Sequence, residues 1–376
     1  MADDHKRAFR LVNRAWPKKP GPWPAGGEMR VVVEATANEP RRAPAYFAIA
    51  PDVLDAAAEH ALRFETFGET RLDSSFIAQI PEGRVISGGF FVADRDDDIH
   101  ADSFRAFGSL LKEGFRDLGS RNLSRPRSSR LELREPAVVL GVQTNRNYFH
   151  WLMEALPRLW LARDQGMLEG RRVLVPALQP WMERMAAVCG VFPDQMLVPP
   201  ADELICEDLL MPARGLWNIN TFTPHAFALV AELAGRAEPV VRQRLFVSRQ
   251  RAASRRIVNE DEIFDIAAQF GFIRVFPEAM SFEEQIETFA SAEAVAGALG
   301  AGLANAAFMP AGAALIEFSP EGREADAVLF ANLAHHRGLP YAGVVGPFSD
   351  APERAFDRRN FRVPADLALR AFGATC

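Results

Sequence analysis

The chain has 376 residues, 48% of them hydrophobic and 24% charged, with a formal net charge of -6. That length exceeds one ordinary core, so two lobes are expected, and the composition is that of a globular protein. The acidic balance argues against a nucleic-acid partner, which would need a basic face, and three scattered cysteines (Cys189, Cys206, Cys376) form neither a zinc motif nor a disulfide framework.

In chain order, residues 1–29 read as a flexible tail and linker, with PKKPGPWPAGG at 17–27 too rich in Pro and Gly for a regular element. The pattern predicts a strand at Arg30–Ala35, a helix at Asp52–Phe64 and a hairpin within 70–92 that turns at Pro81-Glu82-Gly83. An acidic loop (Asp94–Asp98), a helix around Ala101–Leu118 and an exposed basic loop (Arg121–Arg130) come next. From residue 136 strands and helices alternate: strand 137–142, helix Tyr148–Arg163, strand Arg172–Val175, helix Trp181–Cys189, strands at 195–198 and 203–211, and helix 224–236. Beyond 236 the alternation is most regular. A strand at 244–249 leads to a capping box at Asn259 and a helix ending at Gly271, then strand Phe272–Phe276 and a second capping box at Ser281. Strand Ala294–Gly297, a glycine-rich turn, a short helix and strand Ala314–Phe318 complete a parallel α/β pattern. No apolar run reaches the roughly 18 residues of a membrane helix, and the N-terminus lacks a signal-type apolar segment. The expected location is the cytoplasm, compatible with peripheral contact with a membrane-bound assembly at the inner face.

Three groups of residues could carry chemistry. The turn Gly297-Ala298-Leu299-Gly300-Ala301-Gly302 links a strand to a helix. Its glycines allow close approach of a diphosphate to free N–H groups, although tight packing explains such turns as well. Its GxxGxG spacing is not the dinucleotide GxGxxG, so a Rossmann oxidoreductase is the weaker reading. Arg249, Arg251, Arg255 and Arg256 lie just after the 244–249 strand on the same predicted sheet edge, where planar guanidinium forks suit a diphosphate and a solvated basic loop is the alternative. Glu317 ends a neighbouring strand, as an acceptor for ribose hydroxyls or as a buried carboxylate that pairs one of those arginines. Upstream, His150, Glu154 and Arg158 share one helical stripe, either a base with its orienting carboxylate or an ordinary polar edge, and Pro157 is expected to kink the helix. Asp94-Arg95-Asp96 has metal-binding DxD spacing but reads as a solvated turn, and adjacent His335 and His336 are expected to point apart.

The runs RLFVSRQRAASRRIVNEDEI and FPEAMSFEEQIETFASAEAVAGALGAGLANAAFMPAGAALIEFSP, with NRNYFHWLMEALPRLWL upstream, resemble glycosyltransferase family 61 over about residues 140–320. The resemblance implies an α/β, GT-B-like fold with two Rossmann-like lobes facing a central cleft. Residues 30–235 would form the N-terminal acceptor-side lobe, 236–350 the nucleotide-sugar-binding lobe, and 351–376 a closing strand and helix. It implies inverting transfer from a nucleotide-sugar donor to a glycan or lipid-linked saccharide acceptor, with no cofactor and no metal, as in relatives that build capsular polysaccharide. Arg249, Arg255, Arg256, Gly300, Ala301, Gly302, Leu303 and Asn305 match the family's donor motifs, with Glu317 added from its place on the edge. His150 and Glu154 match the first-lobe motif, beside Asn147 and Tyr148 on the acceptor side. Leu299 stands where the family commonly has His, which motivates an alternative: a binding or scaffold protein of this fold without turnover.

Overall fold

The computed structural model describes residues 6–12, 21–22, 28–50, 69–86, 88–103, 114–119, 122–126, 129–141, 146–218, 221–238, 241–322, 324–350 and 358–376. The expected helix at 52–64 lies outside them. The chain forms two compact units, one of residues 1–36, 72–218 and 222–229, the other of 37–71, 219–221 and 230–376.

In the first unit the alternation after residue 136 gives parallel strands. Ala137–Val139 pairs with Arg172–Leu174, which pairs with Met196–Leu197, and on its other side with Glu203–Pro212. The sheet then continues as a largely antiparallel meander, so this unit is only partly Rossmann-like. The expected hairpin turn at 81–83 is absent. Ser75–Ile86 is one long strand, antiparallel to 203–212 in unbroken register through Pro81↔Asp208 and Gly83↔Cys206. Gly83 is there for close approach: a Cβ would lie 2.8 Å from the Leu209 Cβ and 2.9 Å from the Ile80 carbonyl. The chain turns instead between Ile86 and Phe91, which pair. Three further expectations are corrected by strand pairing, which satisfies backbone groups that composition alone assigned to loops or a helix. Lys6–Val12, expected in a flexible tail, pairs antiparallel with Asn122–Pro126, expected in an exposed loop. Arg116–Gly119, expected within a helix, pairs with that same 122–126 strand.

The second unit has a six-stranded, all-parallel sheet in the order 272–275, 243–247, 292–298, 314–320, 341–346, 46–49. Residues 37–71, expected in the first lobe, group here because Tyr46–Ile49 pairs with Tyr341–Gly346. One face carries Phe246, Ala294, Ala296, Ala298, Ile316 and Phe318 under the helices Glu260–Gln269 and Ala365–Thr375. Small alanines leave room for Phe372, whose ring meets Phe272, Phe318 and Phe270 at 5.1, 6.0 and 5.6 Å between centroids. The expected closing strand is a single bridge residue, Phe361, opposite Ile257 and Phe348. Counting from residue 243, the strand order is 2-1-3-4-5, so the connections reverse direction between 243–247 and 292–298. In open parallel sheets the crevice at the carboxyl ends of such a pair is where ligands bind.

Candidate functional site

The two strands at this switch point are in register through Val247↔Gly297, so the segments leaving them emerge at the same edge. Arg249 lies just past the first strand and the glycine turn just past the second. The Arg249 guanidinium lies directly on Gly300, where a Cβ would come within 2.0 Å of Nη1. Its Nη2 donates to the Ser254 carbonyl at 2.9 Å and its Nε to that of Arg255 at 3.3 Å, which folds the 250–256 loop around it. Burial foremost, then the Arg255 charge, lower its pKa to about 10 against the opposing pull of Glu278 and Glu260, so it remains a cation at neutral pH. Gly302 allows a second close approach, its Cβ position lying 3.1 Å from Val247 Cγ1.

Arg255 has φ +56, a left-handed conformation unusual for a residue with a side chain and often found at ligand sites. Arg256 contributes through its backbone: its N–H donates to Asn360 Oδ1 at 3.0 Å, its carbonyl accepts from Phe361 N at 3.0 Å, and its side chain is exposed. Arg251 lies over the Phe276 ring at 4.0 Å.

Ala301–Phe308 forms a 3-10 helix, whose first N–H groups have no intrahelical acceptor. Leu303 and Asn305 are buried residues of this helix, and Asn305 Nδ2 donates to Gln285 Oε1 at 2.8 Å, fixing it to the Phe282–Ala290 helix. Leu299 is buried and donates its N–H to the Phe318 carbonyl at 2.8 Å. Glu317 is fully buried; its two oxygens accept from Ser319 Oγ at 2.9 Å and Tyr341 Oη at 2.8 Å. The carboxylate is buried, as one of its two expected roles requires, but the partners seen here are the Ser319 and Tyr341 hydroxyls where that role expected an arginine of the 249–256 loop.

The predicted capping box at Asn259 is replaced by other contacts. Asn259 makes no side-chain cap; its amide clamps the Val363 backbone, donating to the carbonyl at 2.8 Å and accepting from the N–H at 3.1 Å. Glu260, expected only as part of that cap, accepts from Ser248 Oγ at 2.5 Å and Arg249 N at 2.9 Å, and so shapes the arginine loop from beneath. Its signal in the sequence is an acidic residue at a helix start facing a strand end, which is common and carries little information by itself.

In the first unit, Asn147 caps the helix that begins at Tyr148, its Oδ1 accepting from Phe149 N at 2.9 Å. Tyr148 packs against Trp181, with ring centroids 6.1 Å apart. The expected kink at Pro157 takes the form of a π-turn, Trp151–Ala155, between helical segments Tyr148–His150 and Leu156–Asp164. Pro157 has no N–H to close the preceding turn, and Leu156 N–H instead reaches back to the Trp151 carbonyl. Gly215 faces the widened turn, donating to the Glu154 carbonyl at 3.3 Å and leaving no room for a Cβ beside the Met153 carbonyl. Such π-turns recur at functional sites. His150 Nδ1 lies 3.0 Å from Glu154 Oε1, the histidine partly exposed and the carboxylate buried. With Glu154 as carboxylate, the imidazole proton belongs on Nδ1 and the outer nitrogen Nε2 is a base.

The two other motifs take structural roles. Asp94 is buried rather than solvated: its Oδ1 accepts from Asp96 N at 2.9 Å and Asp98 N at 3.1 Å, and its Oδ2 lies 3.3 Å from His100 Nε2. Burial alone would raise its pKa, but the His100 hydrogen bond and charge with the two backbone donors outweigh it and hold the carboxyl below its ordinary range. His335 and His336, expected to diverge, bring ring nitrogens within 4.8 Å of each other and of a Glu39 oxygen. Arg42 N–H donates to His335 Nδ1 at 2.9 Å, which places the ring proton on Nε2, 3.2 Å from Glu39 Oε1. That nitrogen is a donor, the wrong role for a metal ligand.

Among the described residues, no helix is long and apolar enough to cross a membrane. No curated protein matches the chain. Residues 148–316, which include both the His150–Glu154 helix and the Arg249–Gly300 contact, match the family model Glycosyltransferase 61.

Proposed function

We propose that the chain is an inverting glycosyltransferase of GT-B type, moving a hexosyl or pentosyl group from a nucleotide-sugar donor to a glycan or lipid-linked saccharide acceptor. The observation that carries this reading is the meeting of Arg249 with the Gly300 backbone at the switch point of the parallel sheet. Both elements suit a pyrophosphate: the turn supplies N–H groups, and Arg249 with Arg255 supplies fixed positive charge. As the glycosidic bond breaks, negative charge grows on the leaving diphosphate, and preorganised donors stabilise it without reorganising. These cations do the work that a divalent ion does in other transferases, which supports a metal-independent reaction. His150 Nε2 takes the proton from the attacking acceptor hydroxyl, with Glu154 orienting the ring, and a single in-line displacement inverts the anomeric carbon. Asn147 and Tyr148 belong to the acceptor side. Polysaccharide assembly in the cytoplasm, at the inner membrane face, is the setting this chemistry fits.

The test is calorimetry and thermal shift with a panel of nucleoside diphosphates and nucleotide sugars. A donor bound only by the native state raises the melting temperature, and Arg249→Ala is expected to weaken the response at least tenfold. A panel without any stabilising nucleotide, or an Arg249→Ala variant with unchanged affinity, rejects the reading.

A further inference from the structure

We infer that Arg251, resting on the Phe276 ring, is the platform on which the nucleobase of the donor stacks, so that this pair distinguishes a nucleotide from a bare diphosphate. The inference deepens the proposed donor reading and rests on it. The 272–275 strand is the outer neighbour of 243–247, in register with it through Val247↔Val275. Ser248 N–H donates to the Val275 carbonyl at 3.0 Å, so the arginine loop and the Phe276 segment leave the sheet side by side. Phe276 leads into a turn of 3-10 helix, Pro277–Ala279. Pro277 closes on the glycine turn: a Cβ on Gly302 would stand 3.9 Å from Pro277 Cγ and 3.1 Å from Val247 Cγ1. Neighbouring strands lie about 4.8 Å apart, so two spacings, about 10 Å, separate the exits of the 292–298 and 272–275 strands. A ribose bridges such a gap between a diphosphate on Arg249 and Gly300 and a base over Arg251.

The pair has the chemistry a base needs, because guanidinium planes and aromatic rings stack on the faces of all bases. The guanidinium carbon of Arg251 lies 4.0 Å from the Phe276 ring centroid, with the arginine exposed and the phenylalanine half-buried. Arg274 makes the comparison. Its guanidinium lies 4.2 Å over Phe264, but it also donates to Asp261 Oδ1 at 2.7 Å and to Gln250 Oε1 at 3.4 Å. That stack is accounted for by an ion pair within the protein. Among the described residues no hydrogen bond or ion pair ties down the Arg251 guanidinium, which stays open to a ligand at the edge where Arg249 and the glycine turn meet.

The experiment is calorimetry on the full chain with inorganic pyrophosphate and with the diphosphates of uridine, cytidine, adenosine and guanosine at one ionic strength. At least one nucleoside diphosphate is expected to bind about tenfold or more tightly than pyrophosphate. Arg251→Lys, which keeps the charge and loses the plane, and Phe276→Leu should each erase about tenfold of that margin, with pyrophosphate affinity held within about twofold. Arg274→Lys should leave both affinities as in wild type. Pyrophosphate binding as tightly as every nucleoside diphosphate overturns the inference. So does a margin that survives Arg251→Lys, the arm that decides if Phe276→Leu does not fold. An equal loss for pyrophosphate and nucleotide in Arg251→Lys overturns it too, because the side chain would then act on the phosphates. Failure of the donor reading is a different result: no probe, pyrophosphate included, would bind wild type, and the inference would go with it.

Discussion

Gly300 is the residue at which the donor-side reading is most exposed to test. Its backbone is extended, with φ 174, so an alanine meets no torsional strain there. The obstacle is the Arg249 guanidinium, at 2.0 Å from the Cβ position. Gly300→Ala therefore displaces a partly buried, charged side chain rather than distorting the turn. Charge-assisted hydrogen bonds contribute about 1.5–3 kcal/mol each, so nucleotide affinity should fall by roughly 10- to 100-fold, while the far-ultraviolet circular dichroism stays unchanged. Equal affinity in calorimetry would mean that Arg249 does not touch the ligand. His225 gives a second test, in pH dependence. Burial, with a smaller contribution from the Arg158 charge, lowers its pKa from 6.5 to about 3. A depressed histidine leaves the unfolded chain binding the extra proton, so stability is fully present above pH 6.5 and is lost as pH falls toward 3. Urea midpoints of His225→Gln, measured between pH 4 and 7, should show a flatter slope than wild type; parallel slopes would assign the acid sensitivity to other groups. At this scale the sequence disclosed residue types and spacing but not commitments. Glu317 and Asn259 both carry the chemistry a ligand site needs, yet Tyr341, Ser319 and the Val363 backbone occupy their polar atoms, and those partners are 24, 2 and 104 residues away in the chain.

Elements show the same division. The Ser281 box was legible and forms in full, Ser281 Oγ accepting from Glu284 N at 3.2 Å and Glu284 Oε2 accepting from Ser281 N at 2.6 Å. Every participant there lies within one turn, so local sequence suffices. Pro81-Glu82-Gly83 misleads because a turn signature is also local, whereas the partner strand 203–212 that keeps the chain straight lies far away in sequence. Glu82 records the conflict by taking φ +53 inside the strand. The 365–375 helix is held by the packing of Phe372 over alanines of the sheet. Phe372→Ala leaves a cavity bordered by a backbone that cannot collapse readily, a change that costs about 3–5 kcal/mol. Chemical denaturation should show a loss of that size with the slope unchanged, and a loss below about 1 kcal/mol would mean that the helix is not integral to this core.

For the whole molecule, continuity along the chain is a poor guide to which segments fold together. The strand–helix period becomes regular from about residue 236, and the division between the compact units falls at 229/230, but nothing local announces that Tyr46–Ile49 pairs at the edge of a sheet whose other strands all lie beyond residue 242. In that sheet the 341–346 strand, Tyr-Ala-Gly-Val-Val-Gly, is buried along its length with the 46–49 strand on its outer side. A fragment of residues 236–376 would present this apolar strand with unpaired N–H and C=O groups, the arrangement that recruits other chains edge to edge. It would also lose the Arg42–His335–Glu39 hydrogen bonds at the 324–337 helix. The fragment should therefore elute from size exclusion as aggregate. The same fragment with residues 37–71 joined ahead of it through a flexible linker should elute as monomer and keep any nucleotide-dependent rise in melting temperature that the full chain displays. A monomeric, nucleotide-responsive 236–376 would show that the sheet needs no strand from the beginning of the chain, and that the unit is contiguous after all.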